Sequence, residues 1–139
     1  MSYLNTSQAL LTKLINSAIV VSSNISFENK NFNPTGKTLW LAVNFLPVTD
    51  EILGKSSGSR NQQEGVFQIS VFIKKNADDF DVTLLTTIDS LLSEFSYNSQ
   101  ASLNGQVVDI LSSTVNEGSD NESWHKRDIS INYLTFSTR

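Results

Sequence analysis

Gly65-Val66-Phe67-Gln68-Ile69-Ser70-Val71-Phe72-Ile73 is the stretch whose reading decides the fold. Successive side chains of a strand point to opposite faces. Phe67, Ile69, Val71 and Ile73 therefore share one face, and Gln68 and Ser70 share the other, with Val66 and Phe72 at the ends. β-branched and aromatic residues fill the stretch, as a pleated, half-buried surface prefers. Gly65 opens it and Lys74-Lys75-Asn76 closes it. Such a strand needs partners on both edges and a layer over its apolar face.

The nearest partner lies upstream. In Thr38–Leu46, Leu39, Leu41, Val43 and Phe45 share one face, and Trp40, Ala42, Asn44 and Leu46 share the other. Pro47 ends it, since proline cannot donate to the ladder. The Trp40 face is not cleanly polar, which predicts cover from both sides, the second side by a neighbouring subunit. Between the two strands lies a polar stretch, residues 49–64, holding Gly54, Gly58, Arg60 and Asn61. A loop of that length is unusual in a compact domain. It reads as an extended hairpin arm, with strands running into 39–48 and 62–74. No Gly-Lys-Ser/Thr stands at a strand-to-helix junction, and a strand follows, so a phosphate loop is not indicated.

Two helices supply the covering layer. Ala9, Leu10, Leu14 and Ile15, with Leu11 beside them, give helical spacing over 6–17, with Thr6 or Ser7 as N-cap. Phe80, Leu84, Ile88, Leu91, Leu92 and Phe95 do so over 80–95. Asp78 or Asp79 caps this second helix. Asp78, Asp79 and Asp81 read as macrodipole partners of its first turn rather than as a divalent-metal site. A short strand is predicted near 25–28. The Asn-, Pro- and Gly-rich loop to Lys37 follows, with Phe32 pinning it onto the core. The last third gives strands over Gln106–Val115 and 129–136, joined by a hydrophilic turn at 116–123, with Trp124 where the chain re-enters the sheet. The order α-β-β-β-α-β-β predicts an α+β fold in one domain, 1–139. It is a mostly antiparallel sheet with both helices packed on one face.

Composition narrows the function. The 139 residues carry a net charge of −4, which argues against a protein that grips nucleic acid by neutralising phosphates. Cysteine is absent, so disulfides and thiolate metal sites are excluded. No signal peptide and no membrane-spanning run is read. The single histidine, His125, makes a histidine-based metal site improbable and reads as a solvated residue near a turn. No Gly-x-Ser-x-Gly elbow exposes a nucleophile. No enzyme activity, metal or cofactor is expected. If strands 66–73 and 129–136 are neighbours, Lys74 and Lys75 come near Lys126 and Arg127 as a small basic patch; the favoured reading of the four is ordinary solvated strand ends.

Phe27, Asn29, Phe32 and Pro34 follow the first helix and strand. A strand then ends in Pro47. Gly54, Gly58, Arg60 and Asn61 come next, then Gly65 ahead of an apolar strand containing Gln68, then the helix of 80–95. This succession over residues 6–95 resembles the tail terminator proteins of long-tailed bacteriophages, with Phe27 where the family more usually has tryptophan.

The resemblance implies a structural virion protein. It would form a ring, usually of six copies, that caps the completed tail tube, stops its polymerisation and offers the surface to which the DNA-filled head attaches. It implies as partners further copies of the chain, the tail tube protein and a head-completion or connector protein, with DNA passing through the lumen unbound and no membrane involved. It places the protein at the tail–neck junction of the virion. Gly54, Gly58, Arg60, Asn61 and Trp40 are the expected contacts with neighbour or tube. A head–tail connector of the same neck, a non-viral monomeric binding module and an enzyme are the competing readings.

Overall fold

A seven-stranded sheet forms the body of the computed structural model, which describes residues 2–28, 30–52, 60–75, 80–116, 118–120 and 123–138. In chain order the elements are α1 (Ser2–Asn16), a 3-10 turn (Ser22–Asn24), β1 (Ile25–Ser26), β2 (Leu39–Ile52), β3 (Arg60–Lys74), α2 (Phe80–Glu94), β4 (Gln100–Leu103), β5 (Gln106–Val115), β6 (Ser119–Asp120) and β7 (Trp124–Thr138). The strands lie in the order β1-β2-β3-β7-β5-β4, with β6 also paired to β7. β1 runs parallel to β2, and every other pairing is antiparallel. The α+β architecture expected from the sequence is the one observed.

The strand over Gly65–Ile73 is central. β3 pairs with β2 on one side and with β7 along its whole length on the other. Phe67, Ile69, Val71 and Ile73 are each at most 1% exposed. Register aligns them with Leu41 and Val43 of β2 and with Ile129 and Ile131 of β7. Val108 and Ile110 of β5 extend the same face. Onto it α1 presses Thr6, Ala9, Leu10 and Leu14, and α2 presses Leu84, Thr87, Ile88, Leu91 and Phe95. These are the i, i+3, i+4 positions that make one helix face. Both helices therefore cover one face of the sheet. Each fully buried Leu, Ile or Phe contributes about 1.5–3 kcal/mol. The helix ends are joined by Lys13 Nζ to Glu94 Oε2 at 3.0 Å, and the Ser113 hydroxyl on β5 donates to the Phe95 carbonyl just past α2.

Several boundaries differ from the sequence reading. α1 begins at Ser2. Thr6 is thus inside the helix and not its cap, its side chain wholly buried. β1 is only two residues long. β7 begins at Trp124, five residues ahead of the alternating run, because its first turns pair with β3 and β6 rather than with β5. β4 and β6 were not anticipated. β4 hangs on a two-residue turn, Asn104-Gly105, with φ of 54° and 81°. That is the signature of a type I′ hairpin turn. The capping residues Asp78 and Asp79 lie outside the described residues.

The open edge of β2 is closed off by side chains. The Leu39 carbonyl accepts from Asn24 Nδ2 at 3.2 Å, and the Phe45 N–H donates to the Glu28 carboxylate. Pro47 has no N–H to offer. These devices block further strands from adding at this edge.

One cross-strand row bends the sheet. Pro47, Gly65, Tyr133 and Ile110 stand opposite one another on β2, β3, β7 and β5. The register shifts on both sides of this row, on β2 at Val48 toward Leu134 and on β5 at Leu111 toward Asn132. Bulges of this kind increase local twist. Gly65 is required there, because a Cβ would lie 2.5 Å from the Tyr133 hydroxyl and 2.6 Å from the Leu46 carbonyl oxygen. The Tyr133 ring covers the missing side chain and stacks on Phe45 at 5.5 Å.

Gly65→Ala is expected to cost about 2 kcal/mol or more in urea unfolding, since the carbonyl cannot step aside. The Tyr133 hydroxyl is buried without a hydrogen-bond partner, and burial, with Tyr3 nearby, holds its phenol well above its ordinary value of 10.0. A phenol with a raised folded value stabilises the fold fully below pH 10.0 and progressively less as pH climbs past it. Tyr133→Phe should therefore be neutral or stabilising at pH 8. It should also remove part of the loss of stability that the parent protein shows between about pH 10 and 12. Urea midpoints of both proteins across that range are the check.

Candidate functional site

The helices leave the second face of the sheet bare among the described residues, and that face divides into three zones. Register sets the rows. At one end Trp40 stands opposite Phe72, and Phe72 opposite Lys126, with Lys74 opposite Trp124 in the next row. In the middle lie Ala42, Ser70 and Asp128, then Asn44, Gln68, Ser130 and Thr114. At the bend lie Leu46, Val66, Asn132 and Ser112, with Leu134 and Phe136 beyond them on β7.

The first zone is an aromatic cluster. Trp40 and Phe72 stack at 4.0 Å with rings 2° from parallel. Phe32 leans on Trp40 at 4.8 Å, and Trp124 meets it edge-on at 5.9 Å. Phe32 thus pins its loop as expected, but onto this face and not onto the core beneath the helices. Trp40 is half-buried by its own chain, and its indole N–H is buried without a partner. The cations of Lys37 and Lys126 stand 5.8 and 5.9 Å from the Phe32 and Phe72 ring centres, a favourable placement over the ring quadrupole.

The middle zone is polar and internally satisfied. Ser70 donates to Asp128, which also lies 3.6 Å from Lys126 Nζ. Asn132 donates to the Ser112 hydroxyl at 2.7 Å, and Asn116 to the Ser130 hydroxyl at 3.1 Å.

The third zone is open and mixes exposed apolar side chains with polar ones. Leu46 is 46% exposed and Val48 67%, with Val107, Leu111 and Phe136 also exposed. Val48 and Leu111 are the two bulge residues, so the bend itself pushes them outward. A hollow of about 330 Å³ lies between them, lined by Val66, Ser112 and Asn132 among others. Between Leu46 and Val66 on one side and Val107 and Phe136 on the other stands the row Thr49, Glu64, Leu134 and Asp109, so the exposed apolar side chains alternate with two carboxylates. The arm carries this surface outward, β2 and β3 staying paired from Thr49–Glu64 to Ile52–Asn61.

The expected contact residues fall as follows. Gly54 and Gly58 lie outside the described residues. The Arg60 backbone pairs with Thr138, and Asn61 pairs with Ile52 and Ser137 at the far end of the arm. Asn61 Oδ1 is buried without a partner. Trp40 lies at the opposite end of the sheet from Arg60 and Asn61, so these three do not converge on one site. The exposed patch at the bend was missed in the sequence because Val48 and Leu111 break the period-2 alternation by which a strand face is read.

His125 is half-buried, its Nδ1 2.5 Å from Asp120 Oδ1. That bond, and more weakly the Lys75 charge, holds the Asp120 carboxyl below its ordinary value. Among the described residues no group of three or more His, Cys, Asp or Glu is placed to hold a metal. No helix there is long and apolar enough to cross a membrane.

Fold and surface together define a helix-backed sheet with one face that the helices leave bare among the described residues. The profile of the phage tail terminator protein family matches residues 5–133, and the chain belongs to that family. It is a structural protein of the phage tail and so a component of the virion. One solved structure, 20% identical, superposes with a TM-score of 0.75 over 97% of this chain and 96% of that one, a likeness of fold. No curated protein sequence matches this one.

Trp40→Phe is expected to stay within about 1 kcal/mol of the parent, since it keeps the stack on Phe72 and removes an unpaired buried N–H. Trp40→Ala should cost about 3 kcal/mol or more. Chemical denaturation of the two variants tests the zone's role as internal packing.

Proposed function

We propose that this protein caps the phage tail tube as an oligomeric ring, ends tube polymerisation and presents the surface on which the head docks. The observation that carries the reading is the set of exposed apolar side chains at the bulged bend of the uncovered sheet face, in a chain of the tail terminator family. A head-to-tail ring joins one patch of each copy to a different patch of the next, and the rotation between copies sets closure. The zone at Leu46, Val48, Leu111 and Phe136 is the first patch, and the β2–β3 arm with Arg60, Asn61, Gly54 and Gly58 reaches the neighbour or the tube. Six copies are expected. The tube protein lies on one side of the ring and a head-completion or connector protein on the other, at the tail–neck junction, with DNA passing through the lumen. The action is steric and additive, with no chemical step.

Light scattering across a concentration series, alone and with purified tail tubes, is the direct test. A mass near six subunits, or capped tubes in negative stain, is the expected result. A monomer that ignores tubes refutes the reading. Val48→Glu should leave folding within about 0.5 kcal/mol of the parent while weakening assembly, because Val48 is 67% exposed in the single chain and a charge there opposes burial against a neighbour. Deleting residues 54–61 should likewise abolish capping, and normal tail lengths from that deletion would rule out the role of the arm.

A further inference from the structure

At the aromatic end of the sheet three chain segments meet around a small cup. The Lys74 N–H donates to the Thr38 carbonyl at 2.8 Å and the Lys75 N–H to the Ser123 carbonyl at 3.0 Å. The end of β3 is thereby tied to the loop before β2 and to the start of β7. The loop arrives through a tight turn in which the Lys37 N–H reaches the Pro34 carbonyl at 3.0 Å and Gly36 takes φ +80°, the type II arrangement that wants glycine third. Thr35 N–H is held by the Asn33 side chain. The resulting hollow, about 270 Å³, is lined by Pro34, Thr35, Gly36, Lys37, Lys74, Ser123 and Trp124.

The lining has one chemical character. Among the described residues its lining includes two lysines, Lys37 and Lys74, two hydroxyl residues, Thr35 and Ser123, and no acidic residue. Lys37 is positioned by one neutral partner, Asn24 Oδ1 at 2.8 Å, and by the Phe32 ring. An ammonium has three donors, so this bond leaves donors over and cancels no charge. Lys74 is exposed, Lys75 follows it in the chain, and Lys126 stands two register positions away on β7. Four of the chain's ten lysines and arginines thus lie at this end of an acidic protein. Among the described residues Asp120 and Asp128 are the carboxylates beside them, and these face His125 and Lys126.

We propose that this cup is a binding site for a phosphate group, with Lys37 and Lys74 as its cations, the Thr35 hydroxyl as a further donor, and the Trp124 indole as its wall. The phosphate comes either from a free phosphorylated small molecule or from a nucleic-acid strand. The site stands independently of ring formation, which uses the opposite end of the sheet.

The test is a fluorescence titration in the Trp40→Phe background, where Trp124 is the sole tryptophan. The probes are inorganic phosphate, adenosine monophosphate and a twelve-nucleotide oligothymidine, each at about 50 and 200 mM salt. A saturable change is expected, weakened at least about fivefold by Lys74→Gln and by Lys37→Gln and less than about twofold by Lys30→Gln, since Lys30 lies outside the cup and binding to phosphate is charge-dependent. Mononucleotide and phosphate binding alike identifies a small-molecule site. Oligothymidine binding at least about tenfold tighter and falling steeply with salt identifies a strand. No saturable change with any probe overturns the proposal. So does an unaltered response in the Lys74→Gln and Lys37→Gln variants, or equal competition by polyglutamate, which would reduce the cup to a general attractor of negative charge.

Discussion

The contact on which the rest of the architecture depends is the fit of the Tyr133 ring over Gly65. It is a backbone-to-side-chain contact with no room for a methyl group. It stands in the middle of the longest strands, and the two bulges begin beside it. On one side of that row the sheet carries the helices and a conventional core. On the other it continues as the hairpin arm, flanked by the end of β7. A glycine at a sheet bend, covered by a cross-strand aromatic, is a recognised way to curve a sheet without losing the strand pairing.

The bend has a consequence for function. Bulge residues leave the alternation of the strand, so Val48 and Leu111 are turned out of the packed layer and exposed. The same device that shapes the sheet therefore exposes these apolar side chains. The other edge features work in the opposite sense. Glu28, Asn24 and Pro47 block the edge of β2 against further strands, so association by strand addition is disfavoured there.

The second face also shows how an acidic chain acquires a basic pole. Net charge describes the whole molecule. The register of β3 against β7 and the turn at Gly36 place Lys37, Lys74 and Lys126 together, although they are far apart in the chain. The aromatic cluster beneath them is half-buried and ordered by stacking, and two of the lysines lie over its rings.

By itself the sequence determined the central strand, its partner β2, the β5–β7 hairpin, both helices and the side of each that is buried, because period-2 and period-3.6 patterns are written in neighbouring residues. It also carried the family resemblance, through motifs spread over 6–95. The Asn104-Gly105 turn that makes β4 was equally present as a local signal. Only the tertiary structure decided that Gly65 sits under Tyr133, that Val48 and Leu111 are bulged outward, that Trp40 is packed by Phe32 and Phe72, and that the cations converge. Each of these depends on the register between strands distant in sequence, and register comes from the packing of the whole sheet rather than from any one segment.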